Sequence, residues 1–504
     1  MRWLSVFAVM ALARPAVAEE RALFALIVGV NRGVDPDLAP LHYADDDAAE
    51  YQAVFRQLGA RTYLLSRLDD NTRRLHPQAV AEALDPTEAQ WRQTLAQLES
   101  DVARARAQHV ATTFYFVYAG HGHVQGGEGY VALEDGRLTG RRLEAMVAQS
   151  GADETHLIVD ACYSFYLAFG RGPGGVRRPL ERFSGLHETF KDERVGLLFS
   201  TSSARESHEW EAYQSGVFSH EVRSGLRGAA DADGDGLVSY REMAAFVERA
   251  NAAVPNERFR PDVYARPPRK AGFLVDLRAP LGGRRLELHG EAGHFLLEDH
   301  RGVRLADFHN ASGQPFHLLL PVEGTLYLRR LADDREFALP AQNSANELAA
   351  LESAPARTSI RGAAHESFGA LFLEPFGAAS VAKFAFPAVD LHKLEAPFRS
   401  AEAHRQRKIA AYSLFGSGAG LAITGMSLSL AGYSLQGSIG LDTPQATVAA
   451  RNSRIDALNA TALAMYATAS ASGLTAALLL LLPHQNSNWT ASIGPNQVQF
   501  LFHF

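Results

Sequence analysis

Cysteine is nearly missing from this chain: one residue, Cys162, in 504. No intramolecular disulfide can form, so the fold must be held by its core rather than by covalent staples. An excess of positive charge is missing too. Lys and Arg number 49 against 56 Asp and Glu, a formal net charge of −7, and bulk electrostatics give no reason to expect nucleic-acid binding. The third scarcity is local. Residues 409–435 and 457–482 contain no Asp, Glu, Lys or Arg. Each stretch exceeds the ~20 residues needed to cross a bilayer. What is abundant is ordinary: 47% hydrophobic residues, enough for a sizeable core, at a length that suggests about three domains.

The N-terminus has the grammar of an export signal. Arg2 supplies a positive start, residues 3–13 are mostly apolar but too short to span a membrane, and Ala16-Val17-Ala18 forms an A-x-A cleavage site. We therefore expect residues 1–18 to be a signal peptide, and an exported, periplasmic or cell-envelope location. In an oxidising compartment a lone cysteine is an inert core residue, a liability or a working thiol.

Residues 20–275 alternate apolar strand-like runs (23–30, 62–65, 113–118, 155–161, 195–200) with helix-like segments (46–58, 87–107, 143–147). This pattern predicts an α/β domain with a mostly parallel sheet flanked by helices, whose active site lies at the carboxyl ends of the strands. Short alternating runs separated by Gly, Asn and Asp predict a small β domain over 280–345. Residues 346–408 read as a mixed linker with a basic cluster at Arg405, Arg407 and Lys408. Residues 409–482 read as a C-terminal hairpin of two hydrophobic helices, with Gly416 and Gly420 as a small-xxx-small pair for close helix approach, and 483–504 as a tail. Membrane association through 409–482 is expected; a buried hairpin in a soluble domain is the other reading.

Two predicted strands end in reactive groups. Residues 113–118 run into Ala119-Gly120-His121-Gly122, and 156–159 run into Asp160-Ala161-Cys162-Tyr163-Ser164. Adjacent strand ends would bring His121 to Cys162, where an imidazole can stabilise a thiolate and later protonate a leaving amine. The N–H groups of Gly122 and Cys162 are candidate oxyanion-hole donors. His123 is a rival base two residues on.

The Tyr118-Ala119-Gly120-His121-Gly122 and Asp160-Ala161-Cys162-Tyr163-Ser164 segments resemble the His and Cys motifs of the caspase/metacaspase family, including bacterial orthocaspases. The opening strand and Ala44-Asp45-Asp46-Asp47-Ala48 are similar to that family's first strand and Asp-Ala motif. The resemblance covers residues 20 to about 270 and implies a caspase-type fold and hydrolysis of peptide bonds in protein or peptide substrates through a thioester. It also implies an S1 pocket lined by Asp47 and Asp160, which would suit Arg or Lys at P1 and repel an acidic residue. Asp45 and Asp46 are expected to cap their helix. Phe165 stands where relatives often have Gly. The Arg-rich segment 170–181, with Arg171, Arg177 and Arg178, occupies the place of the inter-subunit linker and is a candidate for self-processing.

The segment from Asp231 through Asp233, Asp235, Gly236 and Leu237 to Glu242 matches the EF-hand pattern over 231–242. Oxygen ligands from Asp231, Asp233, Asp235, the Leu237 carbonyl and Glu242 would bind calcium, and no organic cofactor is expected. Calcium would rigidify the end of the catalytic domain and gate activity. Two other functions stay open: a non-catalytic, membrane-tethered scaffold or signalling protein that keeps the fold, and a legumain- or gingipain-like cysteine peptidase.

Overall fold

The structure is a computed structural model. It describes residues 21–125, 128–162, 164–171, 186–200, 209–210, 215–255, 260–269, 272–278, 284–313, 315–339, 341, 345–348, 351–355, 370–386, 391–441, 443–481, 489–494 and 497–502. The expected signal peptide, and Arg177 and Arg178 of the Arg-rich segment, lie outside the described residues.

A seven-stranded sheet forms the centre. Its strands, in chain order, are β1 (Arg21–Val30), β2 (Arg61–Ser66), β3 (Ala83–Leu84), β4 (Ala111–Gly120), β5 (Glu154–Asp160), β6 (Val195–Ser200) and β7 (Val263–Arg266). The spatial order is β7-β6-β5-β4-β1-β2-β3. All neighbours pair in parallel except β7, which runs antiparallel along β6. The mixed α/β class with a mostly parallel sheet is therefore as the sequence pattern predicts. The apolar runs explain it: β1 and β4 are covered on both faces, so they need no polar alternation. Successive residues feed two separate cores. Ala25, Ile27, Tyr115, Val117, Ile158 and Leu198 face one way. Phe24, Leu26, Val28, Phe114, Phe116, Leu157, Val159 and Phe199 face the other.

Helices α2 (Glu88–Ala107) and α3 (Gly140–Ser150) cover the second face through Trp91, Leu98, Leu143 and Met146. Both begin at a threonine whose hydroxyl accepts from the backbone: Thr87 from Gln90 N, and Thr139 from Arg142 N. Glycine at position 151, in the left-handed region with φ 64°, ends α3. Helices α1 (Ala44–Gln57), α4 (Val217–Ser224) and α5 (Tyr240–Asn251) cover the first face.

That first core does not stop at the helices. It continues into β8 (Arg284–His289), β9 (Gly293–Asp299), β10 (Arg304–Asn310), β11 (Pro315–Leu320), β12 (Leu326–Arg330) and β13 (Arg335–Leu339) through Leu286, Phe295, Phe308, Leu318 and Phe337. The compact unit runs to Val389, so these strands share one body with the sheet. Five of these strands match apolar runs in the sequence, at 286–288, 295–297, 316–320, 325–328 and 337–339; β10 has no such run. Phe372 and Phe376 close the layer against Phe246 of α5, with ring centroids 5.6 and 5.2 Å apart.

The second unit, Asp390–Phe504, is a helical pair, α6 (Leu391–Gly437) and α7 (Gln445–Leu481), followed by the paired strands Trp489–Gly494 and Gln497–Phe502. Both helices are long and apolar enough to cross a membrane. Their contact does not use Gly416 or Gly420, which have nothing near the position of a Cβ. It runs along Gly418, Gly425 and Gly432, spaced by seven on one face, against Ala469, Ser472, Tyr466, Ala462 and Asn459. A seven-residue spacing keeps the small residues on one side of the helix for its whole length, whereas one small-xxx-small pair covers a single turn.

Candidate active site

The order of the sheet strands reverses beside β1, and a pocket opens there at the carboxyl ends. Its wall includes Ala44 and Asp47 after β1, Ala119, Gly120 and His121 at the end of β4, Asp160, Ala161 and Cys162 at the end of β5, and Ser200 at the end of β6. Strands β4 and β5 are direct neighbours with Ala119 opposite Asp160, which is why the two motif ends meet. The structure thus gathers four expected side chains, His121, Cys162, Asp47 and Asp160, in one pocket. His123 is exposed and is not on the pocket wall.

The His loop is braced from below. Tyr118 O–H donates to the Ala132 carbonyl at 2.8 Å, accepts from Ala132 N at 3.1 Å, and lies 3.0 Å from the His121 carbonyl. His121 Nε2 is 2.9 Å from the Ala39 carbonyl oxygen. Donation to that carbonyl fixes the tautomer and leaves Nδ1 as the basic nitrogen. Burial pushes the His121 pKa down, and the Ala39 carbonyl opposes that shift. Gly122 packs directly on the Cys strand end: a Cβ there would collide with the Cys162 carbonyl oxygen and approach the Ala161 methyl. Cys162 itself is half-buried. Ser164 ties the same turn to β6 by donating to the Ser200 carbonyl.

The two expected S1 carboxylates have different surroundings. Asp160 Oδ2 accepts from Ser219 Oγ at 2.6 Å and from Ser219 N at 3.1 Å. Burial and the neighbouring Asp47 charge push its pKa up to about 7. Asp47 is buried, and its carboxylate is already engaged. Arg223 Nη1 donates to it at 2.5 Å, Ser215 Oγ at 2.5 Å and Gly216 N at 2.9 Å. Burial pushes Asp47 up, and the Arg223 guanidinium opposes that shift. Gly216 sits between the two acids: a Cβ would lie 2.9 Å from Asp160 Oδ2 and 3.2 Å from Asp47 Oδ2.

Asp45 does not cap its helix. Tyr43 occupies the cap position and makes no side-chain cap bond. Asp45 instead accepts from Asn31 Nδ2, Asp69 N and Thr72 Oγ1, pinning the loop after β1 to the turn after β2. Asp46 Oδ1 is buried with no hydrogen bond. A third pocket acid, Glu209, escaped sequence reading. Its oxygens accept from His42 N and Tyr43 N at 2.9–3.1 Å, and burial pushes its pKa up. Nothing in its local sequence marks it.

The carboxylate oxygens of Asp231, Asp233 and Asp235 lie within 4.8 Å of one another. Asp231 accepts from Gly234 N and Gly236 N, and both glycines have positive φ, 76° and 79°. These three acids fit a hard cation that takes oxygen ligands. Glu242 is turned elsewhere: its oxygens accept from Ser239 N at 2.8 Å and Ala232 N at 3.0 Å, in a capping box at the start of α5. Leu237 and Glu242 share a cleft with Asp233 and Asp235. Helix α5 also reaches the strand that leads to Cys162, since Tyr240 O–H lies 2.7 Å from Nδ1 of buried His156 on β5.

These features define an α/β protein with a Cys/His pocket at the sheet's carboxyl edge. Among solved structures the chain is similar to caspase-1 from Spodoptera frugiperda at 11% identity, covering 47% of this chain and 78% of that one, with a TM-score of 0.29. It is similar to pro-sf-caspase-1 at 11% identity, over 51% and 91%, with a TM-score of 0.32. The Drosophila initiator caspase Dronc matches at 8% identity, over 47% and 74%, with a TM-score of 0.27. No protein-family description matches the chain, and no curated protein does.

Proposed function

We propose that this protein is a cysteine endopeptidase that cleaves after Arg or Lys. The observation that carries the reading is one pocket wall holding His121, Cys162 and the carboxylates of Asp160 and Glu209. In this mechanism His121 Nδ1 takes the Cys162 proton, and Sγ attacks the scissile carbonyl carbon. The oxyanion is held by N–H groups at Gly122 and Cys162. Collapse expels the amine, which takes the proton from His121, and leaves a thioester. Water, deprotonated by His121, then hydrolyses the thioester and regenerates the thiol. Asp160 and Glu209 face a basic P1 side chain, and Asp47 acts mainly by holding Ser215 and Gly216 at the pocket edge, because Arg223 already neutralises it. The test is hydrolysis of peptides with Arg, Lys or Asp at P1. Cys162→Ala is expected to lose at least ~10³-fold in kcat/KM. Equal hydrolysis by the variant sinks the nucleophile, and a preference for Asp sinks the specificity.

Calcium is the metal this reading assigns to Asp231, Asp233 and Asp235, with the Leu237 carbonyl as a further ligand; Glu242 would join them only by giving up its capping bonds to Ser239 N and Ala232 N. Bound there it would stiffen the loop that enters α5, and α5 touches β5 through Tyr240 and His156. Export through residues 1–18 and anchorage through 409–482 complete the proposal. The uncharged stretches of α6 and α7, 409–435 and 457–481, support the anchor, since only 11% and 6% of the helices' most apolar windows are buried.

A further inference from the structure

A second cleft, of about 460 Å³, lies on the opposite side of α1 from the peptidase pocket wall, between that helix and the turns beside β9 and β12. Its size is that of a small-ligand site. Arg227 lines it from the kinked turn Gly225–Ala229 that continues α4. Gly228, at φ 117°, follows it and packs so tightly on the His317 carbonyl that no Cβ fits.

Arg227 is fully buried, yet only one of its nitrogens is satisfied: Nη1 donates to Gln57 Oε1 at 2.6 Å and reaches the Leu319 carbonyl at 3.5 Å. Nε and Nη2 have no hydrogen-bond partner. The nearest acid atom, Glu50 Oε2, is 3.8 Å from Nη2, too far for a hydrogen bond, and it too has no hydrogen-bond partner, while Glu50 Oε1 lies 3.5 Å from His76 Nδ1. A buried guanidinium with open N–H groups beside a buried carboxylate with an open oxygen is costly unless something bridges them. Arg223, one turn earlier, has its acid in Asp47; Arg227 has none at bonding distance. The rest of the wall joins apolar Leu75, Leu305 and Leu326 to a charged rim that includes Arg56, His76, Asp299, Arg301 and Glu323.

The unpartnered donors call for a carboxylate, the unpartnered acceptor for an ammonium, and the leucines of the wall for a hydrocarbon side chain. A multivalent anion such as phosphate would meet Glu50 and is disfavoured. We propose that this cleft binds a free α-amino acid with an apolar side chain, its carboxylate on Arg227 Nε and Nη2 and its ammonium on Glu50 Oε2.

The test is calorimetric titration of the full chain carrying Cys162→Ala, so that binding is read independently of any peptidase activity. L-Leucine is expected to bind saturably at millimolar concentration or below. Leucinamide, which lacks the carboxylate, and N-acetyl-leucine, which lacks the ammonium, are expected to bind at least tenfold more weakly. Arg227→Met should lose at least tenfold. Because that variant removes a buried charge and risks misfolding, Ala53→Phe provides the second arm: it fills the cleft from α1 and should abolish binding with the melting transition retained. No saturable binding of leucine, equal binding of either blocked analogue, or unimpaired binding by folded Ala53→Phe overturns the proposal.

Discussion

Asp160 carries two opposed demands. The proposed specificity needs it charged to meet a basic P1 side chain, yet its pKa sits near 7, raised from 3.8 by burial and by Asp47. The folded state therefore keeps the Asp160 proton to higher pH than the unfolded chain does. Its contribution to stability is full below the unfolded value and is lost as pH rises through about 7. Asp160→Asn should melt higher than the parent above pH 7, by on the order of 1–2 kcal/mol after allowing for partial solvent exposure, and match it near pH 4. The same variant should lose its preference for Arg at P1. In the parent, kcat/KM on Arg peptides should climb as pH rises through about 7, and that limb should vanish in Asp160→Asn. His121 titrates below its usual value, so its own limb lies at lower pH. Gly122→Ala should cost at least ~10²-fold in kcat and about 1–3 kcal/mol in stability, because its Cβ would push the Cys162 strand end away. Activity assays beside thermal melts separate the two losses.

Two elements make claims that can be tested separately. The loop entering α5 should gain thermal stability on adding calcium, and Asp233→Ala should remove that gain while leaving the calcium-free melt within ~1 kcal/mol, because Asp233 is exposed. A melt unchanged by calcium or chelator would end the calcium reading. In the helical pair, Gly425→Leu should loosen the α6–α7 contact by about 1–3 kcal/mol, since its Cβ position is 3.1 Å from the Tyr466 ring and 3.3 Å from the Ala462 carbonyl. Gly420→Leu should be silent, because nothing lies near its Cβ position. Thermal unfolding in detergent, followed by helical circular dichroism, distinguishes them.

For the whole molecule the prediction concerns location. The full chain should stay with membranes on extraction at high pH, and a chain ending at Val389, where the first compact unit ends, should be released. Release of the full chain would leave α6 and α7 as an ordinary soluble hairpin. At this scale the strands of 284–339 are also informative. Their alternation is visible in sequence, but their sharing of a core with α1, α4 and α5 is not, because β-strand periodicity says which face is apolar and not what will cover it.

Read alone, the sequence determined the parallel sheet, the two strand ends and the placing of His121 and Cys162 on one pocket wall. Each of those follows from local apolar runs and from the rule that neighbouring parallel strands present their carboxyl ends together. The tertiary structure alone decided the electrostatics of the pocket. Arg223, 176 residues from Asp47, neutralises the acid that local context leaves open, and Glu209, 166 residues from Tyr43, brings in another. The orphaned Arg227 was equally invisible, because a guanidinium on an amphipathic helix reads as a solvated face until the strands beyond it bury it. Charges act through space over a few ångströms, and which charges come that close depends on long-range packing that no local pattern encodes.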